Sequence, residues 1–483
     1  MHRTRRFALG AALLHAGVAA FHAARGVSIR HDFGPSAWDF FWQNLPAADL
    51  RDRALQSLWA LHAQPPLWNA LNAPLIKLFG EAQPEALQLV HVLLGAAMAG
   101  LAVLIAARLT ASAVAGAVAG ALVALDPAMV LYEAYALYEI LCAFLLMVTF
   151  WAVLRAGPEG RTRPLVLALA AVGALVLTRS LYHFAVMVPA VVGAVALARR
   201  RRLVLAAGLA IALLPAGWYT KNLVQHGFFG GSSWYGMGIW RVALFRYRSA
   251  DVSPLLASGA LDRIVTIPPF SPPSRYRPLG YESTSDVPIL ARDDFHNVNI
   301  PAISAAYGRS ANALIRAGPV HFLENVAIGY GNFSAPSTEY DHLAPDRAAM
   351  GLHVTAWRVL TGLPLVRFAD RALPIGTFGS VFLILIPVGL IAHAWVLARR
   401  LRGDEGLESV LRDEAALLAA AGIILYTTLV GSALELGENV RFKFMIEPVL
   451  LTYWTVLVVR GAAARRMPAR PPLVQATVLS RAD

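Results

Sequence analysis

The sequence has a single cysteine, Cys142, only three lysines, and formal charges on just 15% of its 483 residues. Ordinary soluble domains carry about 25% charged residues, so this composition argues against a water-soluble fold. One cysteine excludes a disulfide framework and any metal or redox site built from several thiols. The long mixed segment 221–375 also lacks a Walker loop, GxGxxG, HExxH and GxSxG, so we expect no soluble catalytic unit there.

Long apolar runs fill much of the sequence instead, and 57% of the residues are hydrophobic. Uncharged stretches such as Leu109–Leu125, Leu203–Thr220 and Ala372–Ala398 recur, and about 20 such residues cross a hydrocarbon core. The sequence therefore predicts an all-α polytopic membrane protein of about ten transmembrane helices. The predicted spans are 7–24, 86–107, 109–125, 136–154, 164–178, 182–198, 203–220, 376–398, 415–433 and 446–459.

Arginines between the spans predict the orientation. They concentrate in alternate connections, including the run Arg199 to Arg202 and the tail after residue 460, whereas the short outer turns hold only Arg179. The positive-inside rule then places both termini in the cytoplasm. The net charge of +12 is explained by this topology, so we do not predict nucleic-acid binding. The first span also resembles a signal peptide, but without a convincing cleavage site we interpret it as a retained helix.

Two outer segments are longer than turns. The first, 25–85, contains Leu67–Phe79, which is too short and amphipathic to span and is expected to lie along the membrane surface. The second, 221–375, is expected to form a small mixed external domain or cap, because a structureless loop of this length is uncommon. These segments divide the chain into a transmembrane module (1–220), the external part (221–375) and C-terminal helices with a tail (376–483).

On this topology, polar residues from eight separate stretches collect at the outer ends of the spans. Ionisable groups at membrane depth are costly and usually face a polar site. Arginine and lysine can hold a phosphate there, and a carboxylate can act as general base for a hydroxyl. The candidates are His31, Asp32, Asp39, His62, Gln64, Asp126, Tyr132, Glu133, Glu139, Arg179, His183, Lys221, Asn222, Glu438, Arg441, Lys443 and Glu447.

Each candidate also has a simpler interpretation. The loop acids can be solvated, Arg179 and Lys221 can anchor at headgroups, and Gly230-Gly231-Ser232-Ser233 reads first as a turn. Glu133 and Glu139 are expected to enter the fourth span six residues apart, pointing to different sides, so that at most one faces a site. His62 has no partner at metal-ligand spacing.

The order of motifs resembles the GT-C superfamily of membrane glycosyltransferases, in particular its bacterial family-39-like, protein-mannosyltransferase-like branch. The resemblance covers roughly residues 7–240 and 430–460. It rests on four stretches: an acidic first outer loop followed by His62-Ala-Gln-Pro-Pro-Leu-Trp68, Pro127 with Tyr132, Tyr138 and Glu139, Pro215 to Asn222, and Glu438-Asn-Val-Arg441-Phe-Lys443.

This resemblance implies transfer of a sugar, with inversion, from a polyprenyl-phosphate donor to a glycan, glycolipid or protein acceptor, on the outer side of the bacterial cytoplasmic membrane. It implies that Asp39 or Asp32 is the catalytic base. Because Gln64 stands where some relatives have a phosphate-binding lysine, Lys221, Arg179 and Arg441 are the candidates for the donor phosphate. The substrate pocket would include His62, Gln64, Tyr132, Glu133, Glu139, His183, Asn222, Glu438 and Lys443. Some relatives use a divalent metal such as Mg²⁺ or Mn²⁺, and the sequence leaves that open.

Three other functions remain open. A secondary transporter would bind its substrate near the bilayer midplane, between inverted repeats, and Glu139 is the residue that keeps this option. An O-antigen ligase or polymerase would also use a lipid-linked donor, with outer-loop arginines such as Arg246, Arg248, Arg275 and Arg277. A non-catalytic sensor or scaffold is the third alternative.

Overall fold

The computed structural model describes residues 2–29, 38–39, 41–281, 300–362, 380–403 and 406–466. Over these ranges the chain forms α-helices and short 3₁₀ turns, and the only β-type pairing there is an isolated bridge between Gly362 and Ser380. The all-α prediction is confirmed. Helices are numbered α1 to α20 in chain order.

Seven segments in the described part are long and apolar enough to cross a membrane. One of them, Leu67–Thr110, contains two helices separated by a 3₁₀ turn, where Gly80 adopts a positive φ of 55° and interrupts the helix. The helices in these segments are α1 (His2–Ala23), α3 (Leu67–Phe79), α4 (Gln83–Thr110), α7 (Glu139–Ala156), α10 (Arg201–His226), α17 (Phe382–Arg402), α19 (Ala415–Ala433) and α20 (Asn439–Arg466).

The predicted third span, 109–125, is broken rather than straight. Helix α4 continues to Thr110, and the span is formed by α5 (Ala113–Ala124) and α6 (Pro127–Glu133), bent by 47°. The bend follows from the sequence Asp126-Pro127. Asp126 accepts a hydrogen bond from the N–H of Ala128 (2.9 Å) and starts a new helix, with proline in its favoured first position.

Two shorter apolar helices occupy the predicted fifth and sixth spans, α8 (Thr162–Thr178) and α9 (Met187–Leu197). Each of the ten predicted spans therefore corresponds to a helix. By length and composition alone, only seven segments could cross a membrane, or eight if α5 and α6 together count as one span.

Basic residues between the helices meet at one end of the bundle. Arg412, in α18 (Leu407–Asp413), donates to the carbonyls of Pro158 (3.2 Å) and Leu197 (3.1 Å). Buried Glu414 accepts from Arg400 (2.7 Å) and Arg460 (2.9 Å). These contacts join the connections that the sequence assigns to the cytoplasmic side.

The predicted outer segments are helical in the described residues. The first contains α2 (Ala47–Ala60) and α3, whose bounds coincide with the predicted surface helix. The second begins later than predicted, because α10 continues past residue 220 to His226. Its helices are α11 (Tyr235–Leu244), α12 (Ser249–Ala257), α13 (Ile300–Ala317), α14 (Pro319–Ser334), α15 (Ala344–Ala349) and α16 (Gly351–Thr361).

This external segment has its own small core but also packs on the bundle. Trp240 of α11 and Tyr307 of α13 are buried together in that core, while α14 packs against α19 and α20. Helices α11 and α13 approach closely at Gly236. Its N–H donates to Ser304 Oγ (2.8 Å), and a Cβ built there would lie 1.8 Å from the Ser304 carbonyl oxygen.

We therefore expect Gly236→Ala to separate α11 from α13 and to destabilise the protein by about 1–3 kcal/mol, the usual range for overpacking. Gly351→Ala is the matched control, because a Cβ at that position meets no atom within 4 Å. The measurement is the unfolding temperature of the purified protein, followed by tryptophan fluorescence. Equal unfolding temperatures for the two variants would show that the contact is not tight.

Candidate active site

A cavity of about 920 Å³ lies where α8 and α19 end and α20 begins. Because α8 starts beside the arginine-rich connections, the cavity is at the opposite end of the bundle. Remote parts of the chain supply its walls: the first outer segment, Tyr135 between α6 and α7, the residues after α8, the external segment, α19, the α19–α20 connection and the start of α20. The external segment contributes the loop before α11, α11, Phe270, α13 and residues 340–342.

Arg441 ties the start of α20 to α7 and to the α19–α20 connection. Its guanidinium donates to Glu139 Oε1 from Nη2 (2.5 Å) and Nε (3.0 Å), and to Glu438 Oε2 from Nη1 (2.6 Å). The rings of Tyr135 and Tyr340 lie against it, with centroids 5.6 and 5.2 Å away. Arg441 and Glu139 are each 1% exposed, so this is a buried, hydrogen-bonded ion pair. Two carboxylates thus compensate the charge of Arg441.

A second ion pair lies on the cavity wall. Arg241 of α11 forms an ion pair with Glu435 of the α19–α20 connection, with Nη1 3.0 Å from Oε1. Burial raises the pKa of Glu435 to about 7, although Arg241 opposes the rise. Glu438 on the same connection behaves differently, because burial raises its pKa but Arg441, Arg179 and Arg241 outweigh that and lower it. The two neighbouring carboxylates therefore differ in their readiness to take a proton.

Arg179 is the third cation of the cavity and differs from the other two. It follows the last residue of α8, is 7% exposed, and lies over the rings of Tyr138 (4.7 Å) and Phe442 (5.1 Å). Within the described ranges it forms no salt bridge, and its buried Nε has no hydrogen-bond acceptor. Burial and the neighbouring Arg441 lower its pKa to about 10, so it stays charged at neutral pH.

Five of the residues singled out from the sequence line this cavity: Gln64, Arg179, His183, Glu438 and Arg441. Gln64 accepts a hydrogen bond from Ser180 Oγ (3.2 Å), which links the first outer segment to the end of α8. Glu139 accepts hydrogen bonds from Arg441 but does not itself line the cavity.

Three other predicted site residues hold the wall together. Lys221 Nζ donates to the carbonyl of Leu61 (2.5 Å), and Asn222 Nδ2 donates to that of Gly230 (2.7 Å). His62 Nδ1 and Ser233 Oγ share a hydrogen bond of 2.9 Å. These contacts fasten the loop 230–233, which lines the cavity, to the first outer segment.

The remaining predicted residues lie away from the cavity walls. Lys443 pairs with Glu447 (3.1 Å) and Tyr132 stacks on Phe444, both inside the bundle. Asp39 is exposed and accepts from the N–H of Ala47 (2.7 Å). The second predicted base, Asp32, and its neighbour His31 lie outside the described residues.

Glu133 and Glu139 do point to different places, but the predicted reason is wrong. They are not on one helix, since α6 ends at Glu133 and α7 begins at Glu139. Glu133 Oε1 meets His15 Nε2 (2.5 Å), whereas Glu139 pairs with Arg441. The broken backbone, not the turn angle of a continuous helix, separates them.

Arg241 and Glu435 are cavity residues that no sequence motif singled out. Arg241 is one of thirteen arginines in 221–375 and has no pattern that distinguishes it. Glu435 offered a weak signal, because Glu435-Leu-Gly-Glu438 puts two carboxylates in a short turn between apolar spans. No group of three or more His, Cys, Asp or Glu side chains suited to a metal ion occurs in the described part of the chain.

Residues 63–217 match the family model "Dolichyl-phosphate-mannose-protein mannosyltransferase". The match covers about a third of the chain. It runs from just before α3 into α10, includes Gln64, Glu139 and Arg179, and agrees with the resemblance seen in the motifs over this part of the chain. A search of curated proteins returned no match.

Two GT-C enzymes are among the similar solved structures. ArnT from Cupriavidus metallidurans, bound to undecaprenyl phosphate, is 16% identical with a TM-score of 0.32, over 94% of this chain and 77% of ArnT. The archaeal oligosaccharyltransferase AglB from Archaeoglobus fulgidus, in complex with an inhibitory peptide and a dolichol-phosphate, is 16% identical with a TM-score of 0.39. That alignment covers 95% of this chain and 52% of AglB, so the chain spans about half the length of AglB.

We expect Glu139→Gln to destabilise the protein strongly, because removing one partner of a buried ion pair costs about 3–5 kcal/mol. The double variant Glu139→Met/Arg441→Met should lose less, since it leaves no buried guanidinium short of a partner. Glu159→Gln, in an exposed pair with Arg161, is the control and should leave the unfolding temperature unchanged, because exposed ion pairs contribute little to stability. The unfolding temperature checks all three, and a double variant less stable than Glu139→Gln would contradict this interpretation.

Proposed function

We propose that this protein transfers a sugar, with inversion, from a polyprenyl-phosphate donor to an acceptor hydroxyl, and that the reaction takes place in the 920 Å³ cavity. The observation that carries the proposal is the state of Arg179, a buried guanidinium on the cavity wall without a carboxylate partner in the described residues.

A buried charge is costly unless an opposite charge compensates it. Arg441 and Arg241 already have carboxylate partners, and Lys221 donates to a backbone carbonyl. Arg179 therefore has the strongest need for an anion. A guanidinium binds phosphate through paired, charge-assisted hydrogen bonds, which suits the phosphate of a carrier lipid.

The cavity surroundings suit a lipid that carries a polar head. Its lining includes Tyr426 and Val430 of α19 and Phe442 of α20, so it reaches the apolar helices. A prenyl chain would extend between the spans while the sugar stays among the polar groups. When the bond between the anomeric carbon and the phosphate oxygen breaks, negative charge grows on the leaving phosphate, and Arg179 would stabilise it.

The rival functions gain no support from the described residues. Glu139, which kept the transporter option open, is neutralised by Arg441. The outer-loop arginines of the ligase or polymerase alternative, Arg246, Arg248, Arg275 and Arg277, are exposed and do not line the cavity. The arginine-rich connections lie at the end of the bundle opposite the cavity. By the positive-inside rule, this favours an active site on the outer face of the membrane.

The test uses the full-length protein in lipid nanodiscs, a panel of polyprenyl-phosphate sugars, and mass spectrometry to detect hydrolysis or transfer. We expect Arg179→Ala to lower kcat/KM for the donor by about 100-fold, the value of a lost charge-assisted contact to phosphate. Arg179→Lys should recover part of that loss, because it restores the charge without the guanidinium geometry.

Arg309→Ala is the matched control, since Arg309 pairs with Asp262 in the external segment and is 68% exposed. It should retain wild-type activity. If Arg179→Ala retains the kcat/KM of the control, Arg179 is not the phosphate ligand. If no donor in the panel reacts with the wild-type protein, the proposed function itself is refuted.

A further inference from the structure

We propose that Glu435 is the general base that takes the proton from the acceptor hydroxyl. This inference rests on the proposed glycosyl transfer and assigns a role to a carboxylate that the sequence motifs do not contain.

The two oxygens of Glu435 have different surroundings. Oε1 accepts a hydrogen bond from the backbone N–H of Leu436 (3.0 Å) and forms an ion pair with Arg241, whose Nη1 is 3.0 Å away, so the carboxylate is fixed in position. Oε2 accepts no hydrogen bond from the described residues and is not among the buried unpartnered atoms, although the side chain as a whole is only 15% exposed. One oxygen is therefore anchored while the other is accessible, as a base that must meet a substrate hydroxyl requires.

Other carboxylates are less suitable. Within the described ranges, Glu435 and Glu438 are the only carboxylates that line the cavity. Glu438 is committed to Arg441, with Oε2 2.6 Å from Nη1. Glu139 is 1% exposed behind the same arginine, and Asp39 does not line the cavity.

Electrostatics separates the two glutamates further. Three charged groups act on Glu435: Arg241 on α11, Arg179 after α8, and Glu438 on the same connection. Arg441 on α20 pairs with Glu438. Burial is the largest influence and brings the pKa of Glu435 to about 7, whereas the pKa of Glu438 is lowered. A base with a pKa near the working pH is both deprotonated and able to hold a proton, and a pair of carboxylates with separated pKa values indicates separate roles.

The step balances without any further reactant. The acceptor oxygen forms a bond to the anomeric carbon from the face opposite the phosphate, and its proton moves to Glu435 Oε2. The bond from that carbon to the phosphate oxygen breaks, and the electron pair leaves with the polyprenyl phosphate, which Arg179 holds. Glu435 then releases the proton to water.

The test compares Glu435→Gln with wild type, using whichever donor and acceptor the wild-type protein converts. The amide keeps the size of the side chain but cannot take a proton, so we expect kcat to fall by about 100-fold or more while the KM for the donor stays unchanged. Glu324→Gln is the matched control, because Glu324 pairs with Arg246 in the external segment and is 43% exposed. It should keep wild-type kcat.

A pH profile provides a readout that a merely structural role would not change. Below its pKa Glu435 carries a proton and cannot act, so wild-type kcat should rise through about pH 7. Arg241 lowers that pKa, so Arg241→Gln should move the rise to higher pH. In Glu435→Gln the rise should disappear from the residual activity.

The outcomes separate the two proposals. A wild-type protein that transfers no sugar defeats the proposed function before any variant is compared. If wild type is active and Glu435→Gln keeps the kcat and pH profile of Glu324→Gln, Glu435 is not the base while the transferase proposal stands. Size-exclusion chromatography of each variant excludes loss of folded protein as the cause of lost activity.

Discussion

The buried ion pair between Arg441 and Glu139 determines how the rest of the site is arranged. Both groups lie at the start of long apolar helices, where an uncompensated charge is expensive. The cost is offset only if α7, α20 and the α19–α20 connection keep Glu139, Arg441 and Glu438 within hydrogen-bond distance. Arg441 thus fixes the connection that carries Glu435, and it lies close enough to Arg179 to depress the pKa of that residue.

The cations near the cavity differ in which groups already compensate their positive charge. Arg441 and Arg241 have carboxylates, and Lys221 has the carbonyl of Leu61 and the ring of Trp218 (3.9 Å). These contacts connect outer segments that are remote in sequence. Arg179 contacts only aromatic faces and the cavity in the described structure, and a substrate anion would complete its surroundings. The chemical role we assign to it follows from this difference, not from charge alone.

The sequence was sufficient for features that depend on the membrane as a solvent. Apolar length located the spans, arginine distribution separated the two ends of the bundle, and Leu67–Phe79 was recognised as a helix of its own. It was insufficient for the break at Asp126-Pro127, because an apolar run does not reveal whether a helix inside it bends. The same applies to Glu133 and Glu139, which a continuous helix would have placed differently.

The sequence did not reveal which charged residues pair with one another. Arg179, Lys221 and Arg441 looked equivalent as basic residues at span ends, and only their three-dimensional neighbours distinguish them. Glu435 and Arg241 belong to no recognisable motif, so nothing in the sequence indicates that they form an ion pair. The GT-C resemblance implied Asp39 or Asp32 as the catalytic base, whereas the carboxylates that line the cavity in the described structure are Glu435 and Glu438.

The most direct test of the central claim is a cryo-electron microscopy map of the protein in nanodiscs with undecaprenyl phosphate added. We predict density for the phosphate in contact with the Arg179 guanidinium, inside the cavity next to Glu435, and density for the prenyl chain leaving between the helices. A phosphate bound elsewhere, or an Arg179 side chain paired with a carboxylate of the protein while the lipid is bound, would contradict the account.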